Sequence, residues 1–160
     1  APMYGSGTSE TNLGRVLKTL KPEIFLATKL TVLPEDRRDI AGAVQRSLEA
    51  SLKRLGREHV DLLQLHNRIA DTGSDRPLPS ATVVDEVAPA LDRLKRSGKI
   101  RFAGITALGD TTLLHRAVEA RVFDTAQICF NLLNPSAAMT LPAGWPGQDF
   151  ARLEIGRAHV

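Results

Sequence analysis

The sequence contains one cysteine, one tryptophan and one tyrosine in 160 residues, and each scarcity argues against a class of protein. The single thiol, Cys129, can form neither an intrachain disulfide nor a cysteine-based zinc site, and we predict no metal site. So few aromatic side chains leave little material for stacking on nucleic-acid bases. The net charge of +3 comes from basic residues interleaved with apolar and acidic ones, so we predict no nucleic-acid partner.

Long apolar runs and leader-like segments are also missing. No apolar run approaches the roughly 18–20 residues of a transmembrane helix. The first residues lack the basic segment followed by an apolar segment that a secretory signal would have. Together with the single thiol, these absences predict a cytoplasmic location and no membrane partner.

What the sequence does contain is a regular alternation of helical and strand patterns. Connections of helical length between short buried strands are typical of a parallel α/β sheet with right-handed crossovers. No GxGxxG turn follows a strand, which favours a barrel over a dinucleotide-binding open sheet, although an open doubly wound sheet stays possible at this level. The predicted helices cover 8–20, 36–55 and 82–97 and a segment from Asp110, and the predicted strands cover 24–28, 60–65, 100–106 and 125–130.

Apolar spacing also predicts which helical faces are buried. In the first helix, capped by Thr8 or Ser9, the predicted inward stripe is Leu13, Val16, Leu17 and Leu20. The second helix begins near Asp36 and ends at Gly56, a residue suited to the left-handed conformation that terminates helices. Its predicted buried face is Ile40, Ala43, Val44, Leu48, Leu52 and Leu55.

Three polar residues stand at loop or strand-exit positions: Tyr4, Lys29 and His66. Each residue alone is weak evidence for a catalytic role, because tyrosines, lysines and histidines at such positions often only pack, face solvent or form structural hydrogen bonds. Together they are informative, since the carboxyl ends of adjacent parallel strands meet at one edge of a sheet. A lysine ammonium lowers the pKa of a nearby tyrosine. A histidine donating to the same oxygen would help to bind a carbonyl. The set suits protonation of a developing alkoxide, the acid half of carbonyl reduction.

Five segments in order resemble the aldo-keto reductases: APMYGSGTSETNLGRVL, IFLATK, SLEASLKRLGREHVDLLQLH, SGKIRFAGIT and AQICFNLLNPSA. The resemblance implies a partial (β/α)8 TIM barrel, roughly strands 3–6 with their helices, that reduces aldehydes and ketones with NADPH. It implies that Tyr4 is the general acid, that Lys29 lowers its pKa, and that His66 orients the carbonyl. Asn67 matches a position that lines the substrate pocket. Thr106 and Gln127 match contacts to the nicotinamide carboxamide.

The sequence departs from that pattern at both ends and after one strand. The family's catalytic aspartate would lie two positions before Ala1, and Ala107 stands where the family has an asparagine. The loops that grip the adenosine phosphate would follow Leu153. We therefore predict a partial NADP-dependent oxidoreductase domain over 1–153 that is an inactive fragment by itself. The alternative is a non-catalytic binding protein of the same family or a truncated product.

The last seven residues, Glu154–Val160, read EIGRAHV and show no apolar periodicity. They resemble a sequencing adaptor translated in frame, and we predict a non-native tail over 154–160. An ordinary polar C-terminus is the alternative.

Overall fold

The computed structural model describes residues 1–73 and 77–153. Its four strands form one sheet in the order β1-β2-β3-β4, and every pair is parallel, as predicted. Because parallel neighbours cannot be joined by a tight hairpin, a helical crossover separates each strand from the next. The strands are β1 (Ala27–Leu30), β2 (Val60–Leu65), β3 (Ile100–Thr106) and β4 (Thr125–Gln127).

Four helical runs accompany these strands. The first, α1, spans Thr8–Leu20, and α2 spans Ile40–Leu55. The third run, 80–96, is α3, and α4 spans Thr111–Glu119. Short 3₁₀ turns at Tyr4–Gly7 and Pro34–Arg38 precede α1 and α2. No helix among the described residues is long and apolar enough to cross a membrane.

Helix α2 shows how local sequence sets its ends. The Asp39 carboxylate accepts a hydrogen bond from the Gly42 N–H, so the helix begins at Ile40, and the predicted start near Asp36 is wrong. Residues 34–38 form the 3₁₀ turn instead. Gly56 ends the helix with φ 62°, as predicted, and all six residues of the predicted inward face are buried.

Helix α3 widens in its middle. Its segments are Ser80–Thr82, a π-helical turn over Val83–Val87, and Ala88–Arg96. In the π turn the Ala88 N–H donates to the Val83 carbonyl, five residues back. Pro89, the next residue, has no N–H to donate, so the wider turn admits a proline into the run. Its residues Val83, Val87 and Leu91 are completely buried.

The two faces of the sheet carry different sets of side chains. One face carries Leu30, Leu63, Leu65 and Ile105, each 1% exposed or less, and packs in one core cluster with side chains of the helices. Alternation along the strands puts the neighbouring residues on the other face. Lys29, Gln64, Gly104 and Thr125 are paired in register there, across all four strands.

The first strand starts later than predicted. The predicted strand over 24–28 is wrong at both ends, because β1 covers Ala27–Leu30 and therefore contains Lys29. At its start, the Leu26 N–H donates over 2.8 Å to the side-chain carboxylate of Asp61 on β2 instead of to a backbone carbonyl. Ile24 and Phe25 remain 46% and 58% exposed. The Phe25 ring stacks on Phe102 with the ring centroids 5.9 Å apart.

Helix α1 buries a different face from the predicted one. Of the four apolar residues in the predicted stripe only Leu17 is buried, and Leu13, Val16 and Leu20 are 39%, 50% and 70% exposed. The N-cap is Gly7, without a side-chain hydrogen bond, rather than Thr8 or Ser9. The face that α1 turns to the rest of the protein carries Glu10, Gly14 and Leu17.

The buried Glu10 joins three elements. Its side chain is 1% exposed, and its carboxylate accepts a hydrogen bond from the Thr28 hydroxyl of β1. The second carboxylate oxygen lies 2.7 Å from Arg54 Nε on α2, and the same guanidinium donates to Ser51 Oγ over 3.1 Å. Polar pairing therefore ties α1 to the sheet and to α2, where sequence periodicity suggested apolar contact.

The C-terminal part has little regular structure. Strand β4 ends at Gln127, so the predicted strand to Phe130 is too long, and Phe130 is 57% exposed. Residues 131–148 form turns and irregular backbone. The polar segment 67–81, which contains Gly73, Pro77 and Pro79, predicts a long loop. Its residues 74–76 lie outside the described residues, as does the predicted tail over 154–160.

Candidate active site

The three polar residues singled out from the sequence line one cleft at the carboxyl end of the sheet. Its volume is about 220 Å³. Strands β1 and β2 and the segment before α1 all contribute to its wall. The lining residues are Ala1, Pro2, Met3, Tyr4, Lys29, Thr31 and His66.

Each of these side chains is positioned by a local feature of the backbone. Lys29 is the third residue of β1, on the face opposite the helices. His66 follows β2 directly, and its N–H donates to the Leu30 carbonyl over 2.8 Å, so the backbone pairing continues one residue past the strand. Tyr4 opens the 3₁₀ turn, in which Gly5 and Ser6 have φ of 58° and 49°. Tyr4 is 64% exposed.

A buried hydroxyl supports the imidazole from the neighbouring strand. His66 Nδ1 lies 3.0 Å from Thr106 Oγ1 at the end of β3. The Thr106 hydroxyl in turn donates to the Leu65 carbonyl over 3.1 Å. Leu65 and Ile105 are in register, so the next residues along, His66 and Thr106, stand side by side. Thr106 is only 4% exposed, and this contact fixes one edge of the ring.

Burial in the cleft, reinforced by the nearby Lys29 ammonium, lowers the pKa of His66 from its ordinary value of 6.5. We expect this pKa to lie below 6.5 in an NMR titration of the chain and to rise in Lys29→Met, because that substitution removes a positive charge. The unfolded chain binds a proton first as the pH falls through 6.5, so His66 increasingly destabilises the fold below that pH. The loss reaches its full size when the folded protein also binds a proton, and it persists at lower pH.

The control for this titration is Lys18→Met, which removes a lysine from α1 instead of from the cleft. Its expected effect on the pKa of His66 is negligible, because exposed charges at a distance are screened by salt. A His66 pKa at or above 6.5, or one unchanged in Lys29→Met, would contradict the prediction.

Asn67 does not line this cleft. It is 4% exposed, its Nδ2 donates to the Val32 carbonyl, and its Oδ1 accepts from the Val32 N–H, both over 2.8 Å. The side chain thus pairs with the backbone of the segment after β1, as a further strand residue would. In this structure the position predicted to contact substrate holds that segment, which includes the cleft residue Thr31, in place.

The two residues predicted to contact a nicotinamide carboxamide have different surroundings. Gln127 ends β4, opposite Thr106 in the register, and is exposed. The Thr106 hydroxyl is engaged by His66 and the Leu65 carbonyl and is shielded from solvent. Ala107 is completely buried. The residues present therefore fit a carboxamide through Gln127, whereas the Thr106 hydroxyl is hydrogen-bonded within the protein and its contact with a carboxamide stays a prediction.

Two features of this site were missed by reasoning from the sequence. One is the contact between Thr106 and His66, and the other is the pairing of Asn67 with Val32. A parallel sheet that ends with polar residues on two adjacent strands was the available signal for the first. Nothing local identified Val32, an ordinary apolar residue 35 positions away, as the partner of Asn67.

Comparison with known proteins gives one consistent result. The model of the aldo/keto reductase family matches residues 1–140. L-galactose dehydrogenase from Arabidopsis thaliana is 38% identical over 111 residues, covering 68% of this chain and 33% of the relative. 6-Dehydroglucose reductase from Agrobacterium fabrum is 34% identical over 148 residues, covering 83% and 46%.

A solved structure agrees with the sequence relatives. The aldo/keto reductase from Klebsiella pneumoniae, in complex with NADP and acetate, superposes with a TM-score of 0.64 at 26% identity. The match covers 88% of this chain and 45% of that one, so the chain spans less than half the length of these relatives. The parallel sheet and its helices are therefore part of a (β/α)8 barrel, as predicted.

Proposed function

Since the chain belongs to the aldo/keto reductase family, we propose that the protein containing it reduces an aldehyde or ketone to an alcohol with NADPH. The single observation that carries this proposal is the convergence of Tyr4, Lys29 and His66 on one cleft. The family match supports the choice of reaction, and a relative's structure in complex with NADP supports the choice of cofactor.

In this proposal each cleft residue has one task. NADPH, when bound, supplies a hydride to the carbonyl carbon. The Tyr4 hydroxyl gives its proton to the carbonyl oxygen, which acquires negative charge in the transition state. The Lys29 ammonium stabilises the charge left on the phenol oxygen. His66, held on one edge by Thr106, orients the substrate oxygen at the mouth of the cleft.

The cofactor amide is assigned to Gln127. It is exposed and stands at the carboxyl end of β4, the same end of the sheet as the cleft. The Thr106 hydroxyl supports His66 instead. We propose residues 1–153 as one partial domain of this enzyme. Because the described residues supply four strands of a (β/α)8 barrel, we expect the chain by itself to show no reductase activity.

The test is a chimera in which residues 1–140 replace the matching segment of 6-dehydroglucose reductase from Agrobacterium fabrum. The purified chimera and the 160-residue chain are each mixed with NADPH and a nitrobenzaldehyde, and the loss of NADPH absorbance is followed. We expect turnover by the chimera and none by the chain. A chimera that binds NADPH, as shown by fluorescence, but does not consume it would overturn the proposal. Turnover by the chain would overturn its expected inactivity.

A further inference from the structure

We infer that Asn67 is a positioning residue: it fixes the segment after β1 from which the Thr31 hydroxyl holds the turn that carries Tyr4. Its role rests on the proposed function, in which Tyr4 is the general acid. Asn67 directly follows His66 and does not itself line the cleft, whereas Thr31 and Tyr4 do. Any effect of Asn67 on Tyr4 therefore passes through the backbone and side chains between them.

Backbone pairing between β1 and β2 gives way to side-chain pairing beside the cleft. The last pair in register is Leu30 with Leu65, and the His66 N–H then donates to the Leu30 carbonyl over 2.8 Å. Beyond that bond, the Asn67 side chain accepts from the Val32 N–H and donates to the Val32 carbonyl, both over 2.8 Å. An amide offers one acceptor and one donor group, so it satisfies both backbone groups of a single residue.

Burial makes this pairing hard to replace. Asn67 is 4% exposed and Val32 is 2% exposed, so water does not readily take over from a lost amide. Without the amide, the N–H and the carbonyl of Val32 would lose their partners while they stay buried, which is costly. Thr31 lies between Leu30, where the backbone pairing ends, and Val32, so both of its neighbours in the chain are held.

Thr31 in turn contacts the turn that carries the proposed acid. Its hydroxyl donates to the Met3 sulfur, with 3.5 Å between Oγ1 and Sδ. Met3 directly precedes Tyr4, and the next two residues, Gly5 and Ser6, have φ of 58° and 49°. A serine in this left-handed region is strained, so the turn depends on contacts outside itself to keep its shape. The Thr31 hydroxyl supplies such a contact next to Tyr4.

The amino end of the same two strands offers a matched control. Asp61 of β2 is 8% exposed, and its carboxylate accepts from the Leu26 N–H just before β1 over 2.8 Å. Asp61 and Asn67 are thus both buried side chains that bind backbone next to β1, and each lies 35 positions from its partner. The cleft is at the other end of the strands from Asp61, so Asp61→Ala weakens the sheet without releasing the cleft wall.

The structural step is measured on the 160-residue chain by ¹³C NMR of the methionine methyl groups. The sequence contains two methionines, Met3 and Met139, and the signal that disappears in Met3→Leu belongs to Met3. In Asn67→Ala we expect the Met3 signal to move toward the shift of free methionine, because Thr31 is released, and the Met139 signal to stay. Thr31→Val should move the Met3 signal in the same direction, and Asp61→Ala should move neither signal.

The functional step is measured in the chimera with NADPH and a nitrobenzaldehyde. Asn67→Ala should lower kcat about 10- to 100-fold and leave the KM for NADPH unchanged, because it displaces the proton donor and not the cofactor. Thr31→Val should also lower kcat. The double variant should lose no more than Asn67→Ala alone, because both residues act on Tyr4 through the same contact. Asp61→Ala should keep kcat within about twofold of the unaltered chimera.

An unmoved Met3 signal or an unchanged kcat in Asn67→Ala overturns the inference. So does an equal loss of kcat in Asp61→Ala, or a double variant in which the two single losses multiply. If Asn67→Ala does not fold, Asn67→Asp takes its place: it keeps the shape and the acceptor for the Val32 N–H but, once ionised, cannot donate to the Val32 carbonyl. A chimera without any turnover counts against the proposed function, whereas the methyl signals depend on no activity.

Discussion

Replacing Tyr4 by phenylalanine is expected to lower kcat of the chimera by about 100- to 10,000-fold, the usual contribution of a general acid. Tyr4 is the one tyrosine in the sequence, and it shares its cleft with Lys29 and His66. Phenylalanine keeps the ring and removes only the proton donor, so the KM for NADPH should stay the same. The measurement is steady-state NADPH consumption with a nitrobenzaldehyde.

Two further variants distinguish the loss of the Tyr4 proton donor from a general loss of structure in the chimera. Thr19→Val removes an exposed hydroxyl from α1, where it bonds to the Arg15 carbonyl, and kcat should stay within about twofold of the unaltered chimera. The double variant Tyr4→Phe with Lys29→Met should lose little more than Tyr4→Phe alone, because residues that act as a unit have non-additive effects. A Tyr4→Phe chimera that keeps more than about a tenth of kcat would exclude Tyr4 as the acid.

The second large effect concerns stability and does not depend on function. Substituting Arg54 by methionine is expected to lower the free energy of unfolding of the chain by about 3 kcal/mol or more. Glu10 is 1% exposed and its carboxylate receives the Arg54 Nε–H over 2.7 Å. Without Arg54, this carboxylate loses its charged partner while it stays buried between α1, α2 and β1. Urea unfolding followed by circular dichroism measures the difference.

The same helix offers a matched control for that substitution. Arg46 is also paired with carboxylates, Asp36 and Asp39, but its side chain is 60% exposed. Arg46→Met should therefore cost about 1 kcal/mol or less, because water screens an exposed pair. Adding Glu10→Gln to Arg54→Met should recover part of the loss by removing the buried charge. Equal destabilisation by Arg54→Met and Arg46→Met would show that burial of the Glu10 pair is not what stabilises this junction.

Several parts of the fold follow from local sequence because their causes are local. Helix α2 ends at a glycine in the left-handed conformation and buries the six apolar residues that its spacing selects. Strands β2 and β3 have the predicted bounds, since each is a mostly apolar run of strand length. The alternation of strands and helices was sufficient to predict a parallel sheet, and the motifs were sufficient to predict the family.

The predictions from sequence are wrong where contacts with a neighbouring helix or strand decide which residues are buried or paired. Periodicity predicts which residues of α1 share a face, but not which face another element covers. The structure leaves Leu13 and Leu20 exposed and buries Glu10, because Arg54 and Thr28 provide that carboxylate with partners. In the same way, Lys29 lies inside β1 because pairing with the neighbouring strand β2 continues to Leu30, which is opposite Leu65.

The same distinction between local and tertiary causes applies to the candidate site. The sequence by itself determined that Tyr4, Lys29 and His66 would meet, because chain order and the parallel sheet bring loop and strand ends to one edge. Only the tertiary structure decided that Thr106 supports His66 and that Asn67 holds the segment at Val32. Those contacts depend on strand register and on side chains 35 to 40 positions apart, which no local pattern encodes.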